Sequence, residues 1–110
     1  MQRRASNRVR PVMKVMRATT KQVLEFIENS DDWKLVDEKL QKTFTFSNFA
    51  QAFAFMTAVA EYAETNNHHP EWFNVYKTVK VDLTTHEVSG ISERDFHMAN
   101  EMDSVMQQMS

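Results

Sequence analysis

The spacing of apolar positions changes several times along the chain, and each change marks an element. From Thr19 the period is helical: Thr19 or Thr20 can cap, and Val23, Leu24, Phe26 and Ile27 fall on one apolar face. Asn29-Ser30-Asp31-Asp32 ends that helix with side chains that compete for backbone hydrogen bonds. Trp33 and Leu35 open a short extended segment, and residues 41–46 alternate polar and apolar as a half-buried strand does. The two read as a hairpin joined through Asp37-Glu38-Lys39. Ser47 or Asn48 caps a second helix over residues 49–66. Asn66-Asn67 end it, and Pro70 forbids its continuation through His69. Residues 75–83 then read as a strand, with Val75, Val79, Val81 and Leu83 on one face and Tyr76, Thr78, Lys80 and Asp82 on the other. Thr84-Thr85 begin a turn, and His86-Glu87-Val88 start a short return strand ending near Gly90. Ser92 caps the last helix with Asp95 at the capping-box position, and Phe96, Ala99, Met102, Val105, Met106 and Met109 supply its buried face. The order α-β-β-α-β-β-α predicts an α+β fold: a two-layer sandwich, with helices packed on one face of a four-stranded antiparallel sheet.

Within the second helix, residues 49–60 are apolar nearly all round, so that helix must be covered on more than one side. At 110 residues the chain holds one core, and two short hairpins cannot easily wrap such a helix. A second subunit is the expected cover, which predicts a homodimer or homotetramer.

Charge is unevenly placed. Residues 1–24 carry Arg3, Arg4, Arg8, Arg10, Lys14, Arg17 and Lys21 without an acid, and the rest of the chain holds six bases against fifteen acids. An acidic body argues against direct nucleic-acid binding by the folded surface. Residues 1–18 are expected to be a flexible basic segment and residues 19–110 the single domain. A mitochondrial transit peptide is the minor reading of that segment, because it has few Ser and a weak amphipathic pattern. The absence of cysteine excludes disulfides, thiolate nucleophiles and thiolate metal sites. No apolar run approaches the roughly 20 residues of a membrane span. The expected location is the cytoplasm, with the nucleus as an additional one.

Chemistry is concentrated around Glu64-Thr65-Asn66-Asn67-His68-His69-Pro70-Glu71-Trp72, followed by Thr85-His86. Adjacent His68 and His69 tend to diverge and no Cys is present, so a metal site is disfavoured even though Glu64 could share a helix face with His68. Acid–base work fits better. Acid–base chemistry near neutral pH requires one group to take a proton and another to give one, and two imidazoles can do both without metal or cofactor. Glu64 and Asp95 could orient an imidazole, although spacing alone favours Asp95 as a helix-start carboxylate. His97, one turn into the last helix, reads as structural or surface. Trp72, Phe73 and Tyr76 read equally well as core aromatics and as pocket walls.

These residues together closely resemble the pterin-4a-carbinolamine dehydratase family. The resemblance rests on Glu64-x3-His68-His69-Pro70, Glu71-Trp72-Phe73-Asn74-Val75-Tyr76, Thr85-His86 and Gly90-Ile91-Ser92-Glu93-Arg94-Asp95, and covers the chain from about Trp33 to its end. It implies removal of water from 4a-hydroxytetrahydrobiopterin to give quinonoid dihydrobiopterin, the recycling step after aromatic amino acid hydroxylation. It implies that His68, His69 and His86 bind the pterin and carry the acid–base work, with Glu64, Pro70, Trp72 and Asp95 in binding or supporting roles, and with no metal or other cofactor. Animal members also resemble dimerisation cofactors of a homeodomain transcription activator, which implies a possible transcription-factor partner for the 49–66 helix. The basic residues 1–18 have no role in this resemblance.

Overall fold

The structure, a computed structural model, describes residues 14–109; Arg3, Arg4, Arg8 and Arg10 of the basic segment lie outside the described residues. The elements are α1 (Thr20–Glu28), β1 (Lys34–Val36), β2 (Lys39–Thr45), α2 (Phe49–Asn66), β3 (Glu71–Val75), β4 (Thr78–Leu83), a 3-10 turn (His86–Val88) and α3 (Glu93–Met109). The four strands form one antiparallel sheet in the order β1-β2-β4-β3. The α+β class and the order α-β-β-α-β-β-α are as predicted.

Local chemistry sets the helix ends. Thr19 and Gln22 form a capping box at α1, each side chain bonding the other's backbone N–H. Asn48 caps α2 by accepting from the Gln51 N–H at 2.9 Å. At its other end Asn67 adopts the left-handed conformation (φ 49°, ψ 46°), and the His68 N–H reaches back to the Ala63 carbonyl. That is the hydrogen-bonded ending which Gly or Asn favours, and it turns the chain sharply off the helix.

One face of the sheet supplies half the core. Register places Leu40 opposite Leu83 and Phe44 opposite Val79, and all four are buried. Against them pack Ala52, Phe55, Val59 and Ala63 of α2 and Met98, Ala99 and Met102 of α3, with Phe55 ringed by Phe44 and Phe46 at 4.7 and 5.1 Å between centroids. Lys42 shares that inward face. Its ammonium bonds Asp103 of α3 at 2.7 Å and lies 4.9 Å from the Phe44 ring centre, while the Trp33 indole N–H donates to the other Asp103 oxygen. A charged side chain is thus tolerated at the core edge by a carboxylate, a π face and a buried stem.

Three expectations need correcting. Residues 75–83 are not one strand: Tyr76 takes a left-handed φ of 51°, and a two-residue turn folds β3 back against β4. The turn carries no Gly or Pro, and the Asn74 amide braces it by donating to the Tyr76 and Thr78 carbonyls. Val75 is therefore exposed, on the face opposite Val79 and Val81. Residues 86–88 are a 3-10 turn and not a return strand; pairing there is limited to the isolated Thr85–Gly90 bridge. Leu24 is 53% exposed, because only Val23, Phe26 and Ile27 of α1 reach the core. The hairpin of β1 and β2 is as expected, with Asp37-Glu38 as its turn and Lys39 already in β2.

Phe55 has no exposed surface, so Phe55→Ala should cost about 3–5 kcal/mol in denaturant unfolding, from lost transfer energy plus the cavity. Leu24→Ala should cost under about 1 kcal/mol. Equal losses at the two positions would mean that the core is misplaced.

Candidate active site

The end of α2, the start of β3, the 3-10 turn and the start of α3 bring together most of the residues singled out from the sequence. The left-handed Asn67 points the next residue inward, and His68 is buried (8% exposed). Its Nε2 lies 2.7 Å from Oδ1 of Asp95, whose side chain is fully buried. The other carboxylate oxygen of Asp95 accepts from the Thr85 hydroxyl at 2.7 Å and from the Ser92 backbone N–H at 2.9 Å. Thr85 and Ser92 hydroxyls lie 2.6 Å apart, and the Arg94 N–H donates to Ser92 Oγ.

This network fixes its own protons. Thr85 has one hydroxyl proton, which goes to Asp95, so Ser92 must donate to Thr85. With Asp95 as a carboxylate, which only accepts, the His68 nitrogen facing it is the one that donates, leaving Nδ1 as the ring's remaining nitrogen. Asp95 therefore does what spacing suggested, closing the start of α3 by holding the Ser92 N–H. It also holds a histidine 27 positions earlier in the chain.

His69 points elsewhere. Its Nε2 meets Oε2 of Glu64, on the last turn of α2, at 2.7 Å, and both side chains are more than half exposed. A pair this exposed orients an imidazole more than it stabilises the fold. His86 is 86% exposed at its side chain, and its Nε2 is 3.8 Å from Oε2 of Glu71, beyond hydrogen-bond reach. The first Glu71 oxygen takes Lys39 Nζ at 2.7 Å, a bond that holds the ammonium above its ordinary range against a smaller opposing effect of desolvation. Three of the four histidines thus face a carboxylate of their own: Asp95 for His68, Glu64 for His69 and, at 3.8 Å, Glu71 for His86.

Two hollows flank this region. One of about 260 Å³ is lined by His68 together with Tyr62, Glu87, Arg94 and His97. The other, of about 450 Å³, is lined by His86 with Asp37, Glu38, Lys39, Thr84 and Gly90. In the first, Arg94 bonds Glu87 at 3.1 Å. A hydrogen bond from its own backbone, then the one from Arg94, hold the Glu87 carboxyl below the usual carboxylate range. Tyr62 is pushed up by burial, with Glu101 adding to the effect. Pro70 is half-buried between His69 and β3. Trp72 lies on the inward face of β3, opposite Val81, and packs against the core, while Phe73 and Tyr76 are exposed. Among the described residues, no three His, Asp or Glu side chains gather to hold a metal ion.

Sequence reasoning gave no role to Glu71, Thr85 or Arg94. Thr85 was visible only as a turn residue, because its hydroxyl bonds form across the loop it starts. Glu71 and Lys39 are 32 positions apart and meet only through the sheet. His97, read as structural or surface, is exposed and shares the hollow of His68.

Comparison with known proteins finds clear relatives of the chain. Two bacterial proteins named "Putative pterin-4-alpha-carbinolamine dehydratase" are close in sequence. That of Prochlorococcus marinus strain MIT 9313 is 51% identical over 81 residues, covering 74% of this chain and 84% of its own. That of Roseobacter denitrificans is 55% identical over 75 residues, covering 66% and 76%. A crystal structure described as a transcriptional coactivator/pterin dehydratase from Brucella melitensis superposes with a TM-score of 0.79 at 42% identity, covering 81% of this chain and 97% of that one. The family profile described as pterin 4 alpha carbinolamine dehydratase matches residues 16–105, nearly the whole described structure, and the chain belongs to that family.

Proposed function

We propose that this protein is a hydro-lyase that dehydrates 4a-hydroxytetrahydrobiopterin by histidine acid–base catalysis. The observation that carries the reading is the buried His68–Asp95 bond at the end of α2, with a second carboxylate-bound imidazole, His69, next in the chain. In the reaction the C4a–O bond breaks, the N5 proton leaves to a base and the departing hydroxide takes a proton from an acid. Water and a C4a=N5 double bond result, so atoms and charge balance. No electrons are exchanged with a further partner, and imidazoles suffice.

Asp95 supports the assignment of His68. By fixing one ring proton and the ring plane it prepares the other nitrogen for transfer, the same logic that orients the base in a catalytic triad. His69 and His86 complete the set, with exposed rings that reach solvent and exchange protons with it. Glu64 orients His69, Glu71 faces His86 without a hydrogen bond, and Pro70 fixes the chain between His69 and β3. Trp72 supports the site from beneath by anchoring β3 to the core.

A specific observation favours a second role. On α2, Phe49 and Phe53 are 49% and 54% exposed and pack on each other, at 5.7 Å between ring centres. With Ala50, Ala54 and Ala60 they leave an apolar strip uncovered on the side away from the core. Self-association through this strip, or its use by a transcription-factor partner, is the second reading. The coactivator wording attached to the Brucella structure points the same way. No helix among the described residues is long and apolar enough to cross a membrane.

Dehydration of enzymatically generated 4a-hydroxytetrahydrobiopterin, followed by ultraviolet absorbance, tests the first reading. His68→Ala with His69→Ala should lower turnover by at least about 10²–10⁴-fold, the usual contribution of general acid–base groups. Unaltered turnover in the folded double variant would overturn the assignment. For the second reading, Phe53→Asp should convert an oligomer to a smaller species in sedimentation while leaving turnover per site within about twofold. An unchanged sedimentation coefficient would remove the strip from assembly.

A further inference from the structure

The chain has one glycine, Gly90, and among the described residues six others adopt a left-handed φ: Asp32, Asp37, Glu38, Asn67, Tyr76 and Ser89. Gly90 itself has no positive φ. Its backbone conformation is one any residue could hold, so the need for glycine lies in what passes over it. A Cβ built there would lie 2.6 Å from Nε of Arg17, and 3.1 and 3.2 Å from its Cζ and Cδ. The Arg17 side chain is laid across Gly90, and its guanidinium continues to Glu38 at 2.6 Å.

The backbone around Arg17 is held as well. Arg17 forms an antiparallel bridge with Ser92, and the Ala18 N–H donates to the Ile91 carbonyl at 2.7 Å. Arg17 therefore links the start of α3, the end of the 85–90 loop and the β1–β2 turn. That loop carries His86 and is closed on itself by hydrogen bonds between the Thr85 and Gly90 backbones. Its Thr85 end is fastened by Asp95 and Ser92, while its Gly90 end has Arg17 across it. His86 has only the 3.8 Å approach to Glu71, so the loop backbone is what sets its place.

We infer that Arg17 is a positioning residue for His86, a strap that crosses Gly90 and fastens the histidine-bearing loop to the β1–β2 turn. Its catalytic consequence rests on the dehydratase reading; its effect on the loop does not. The ion pair is exposed, 53% at Arg17 and 74% at Glu38, so it adds little to global stability. Its removal leaves the fold intact and loosens one loop. Gly90 and Arg17 then form a single device, since a methyl group at residue 90 forces the strap to shift off its path.

The experiment compares Arg17→Ala, Gly90→Ala and the double variant in the full-length chain, with Glu38→Gln as a variant that leaves the backbone of both partners untouched. Three things are read: the His68 and His86 ring resonances, amide exchange over residues 86–90, and kcat for 4a-hydroxytetrahydrobiopterin. Each single variant should shift the His86 resonances and speed exchange in the loop, leave the His68 resonances in place, and lower kcat about 10- to 100-fold, as small misplacements of a reacting group do. The double variant should lose no more than either single, because the two share one interaction. Glu38→Gln should move the same signals in the same direction. Additive losses, or unchanged His86 resonances and loop exchange in Arg17→Ala, would overturn the strap. If the wild type does not accelerate dehydration but the resonances and exchange respond as described, the dehydratase reading fails and the strap stands.

Discussion

The Asp95 carboxylate is the group on which the candidate site depends. It has no exposed surface and accepts from the His68 ring, the Thr85 hydroxyl and the Ser92 amide. Burying a carboxylate is expensive, and three good donors are what make it tolerable. In return the end of α2, the loop after β4 and the start of α3 are joined at one point, although 27 positions separate His68 from Asp95. An uncapped helix start and an unoriented imidazole would otherwise be two separate problems. Here a single side chain answers both, so the site needs no additional scaffold.

The sheet supplies the frame for that junction. Phe44, Val79, Val81 and Leu83 present one inward surface to α2 and α3, and Phe55 and Met102 lock the two helices down on it without exposed area. The helices can then deliver their ends to one place with little freedom left. Lys42 and Asp103 tie β2 to the middle of α3, well away from the histidines. The chemistry thus hangs from helix ends and short turns, which cost less ordering than a long loop of equal reach.

Most of the fold was legible because its elements obey simple periods. The bounds of α2, the cap Ser92 and, to within one residue, the caps Thr19 and Asn48 follow from apolar spacing and the residue types before each helix. The two misread strands share one cause: the turns beside them take their left-handed conformation at residues other than glycine. Tyr76 bends the chain between β3 and β4 in a left-handed conformation that nothing in its identity announces, so two strands read as one. Ser89 does the same before Gly90, and a 3-10 turn read as a strand. In the site, the histidines and the capping position of Asp95 were visible in the sequence. Its bond to His68, and those of Glu71 to Lys39 and Arg17 to Glu38, join distant parts of the chain and exist only after folding.

The length of α2 has a consequence for how the molecule can be used. At about 1.5 Å per residue, the 13 positions from Phe53 to Asn66 correspond to roughly 20 Å along the helix axis. The uncovered aromatic pair lies at the first turns, and the buried imidazole just past the last. Whatever settles on the apolar strip near Phe49 and Phe53 stands off from the histidine end by most of a domain's width. The exposed aromatic pair and the buried imidazole are therefore set at opposite ends of one helix.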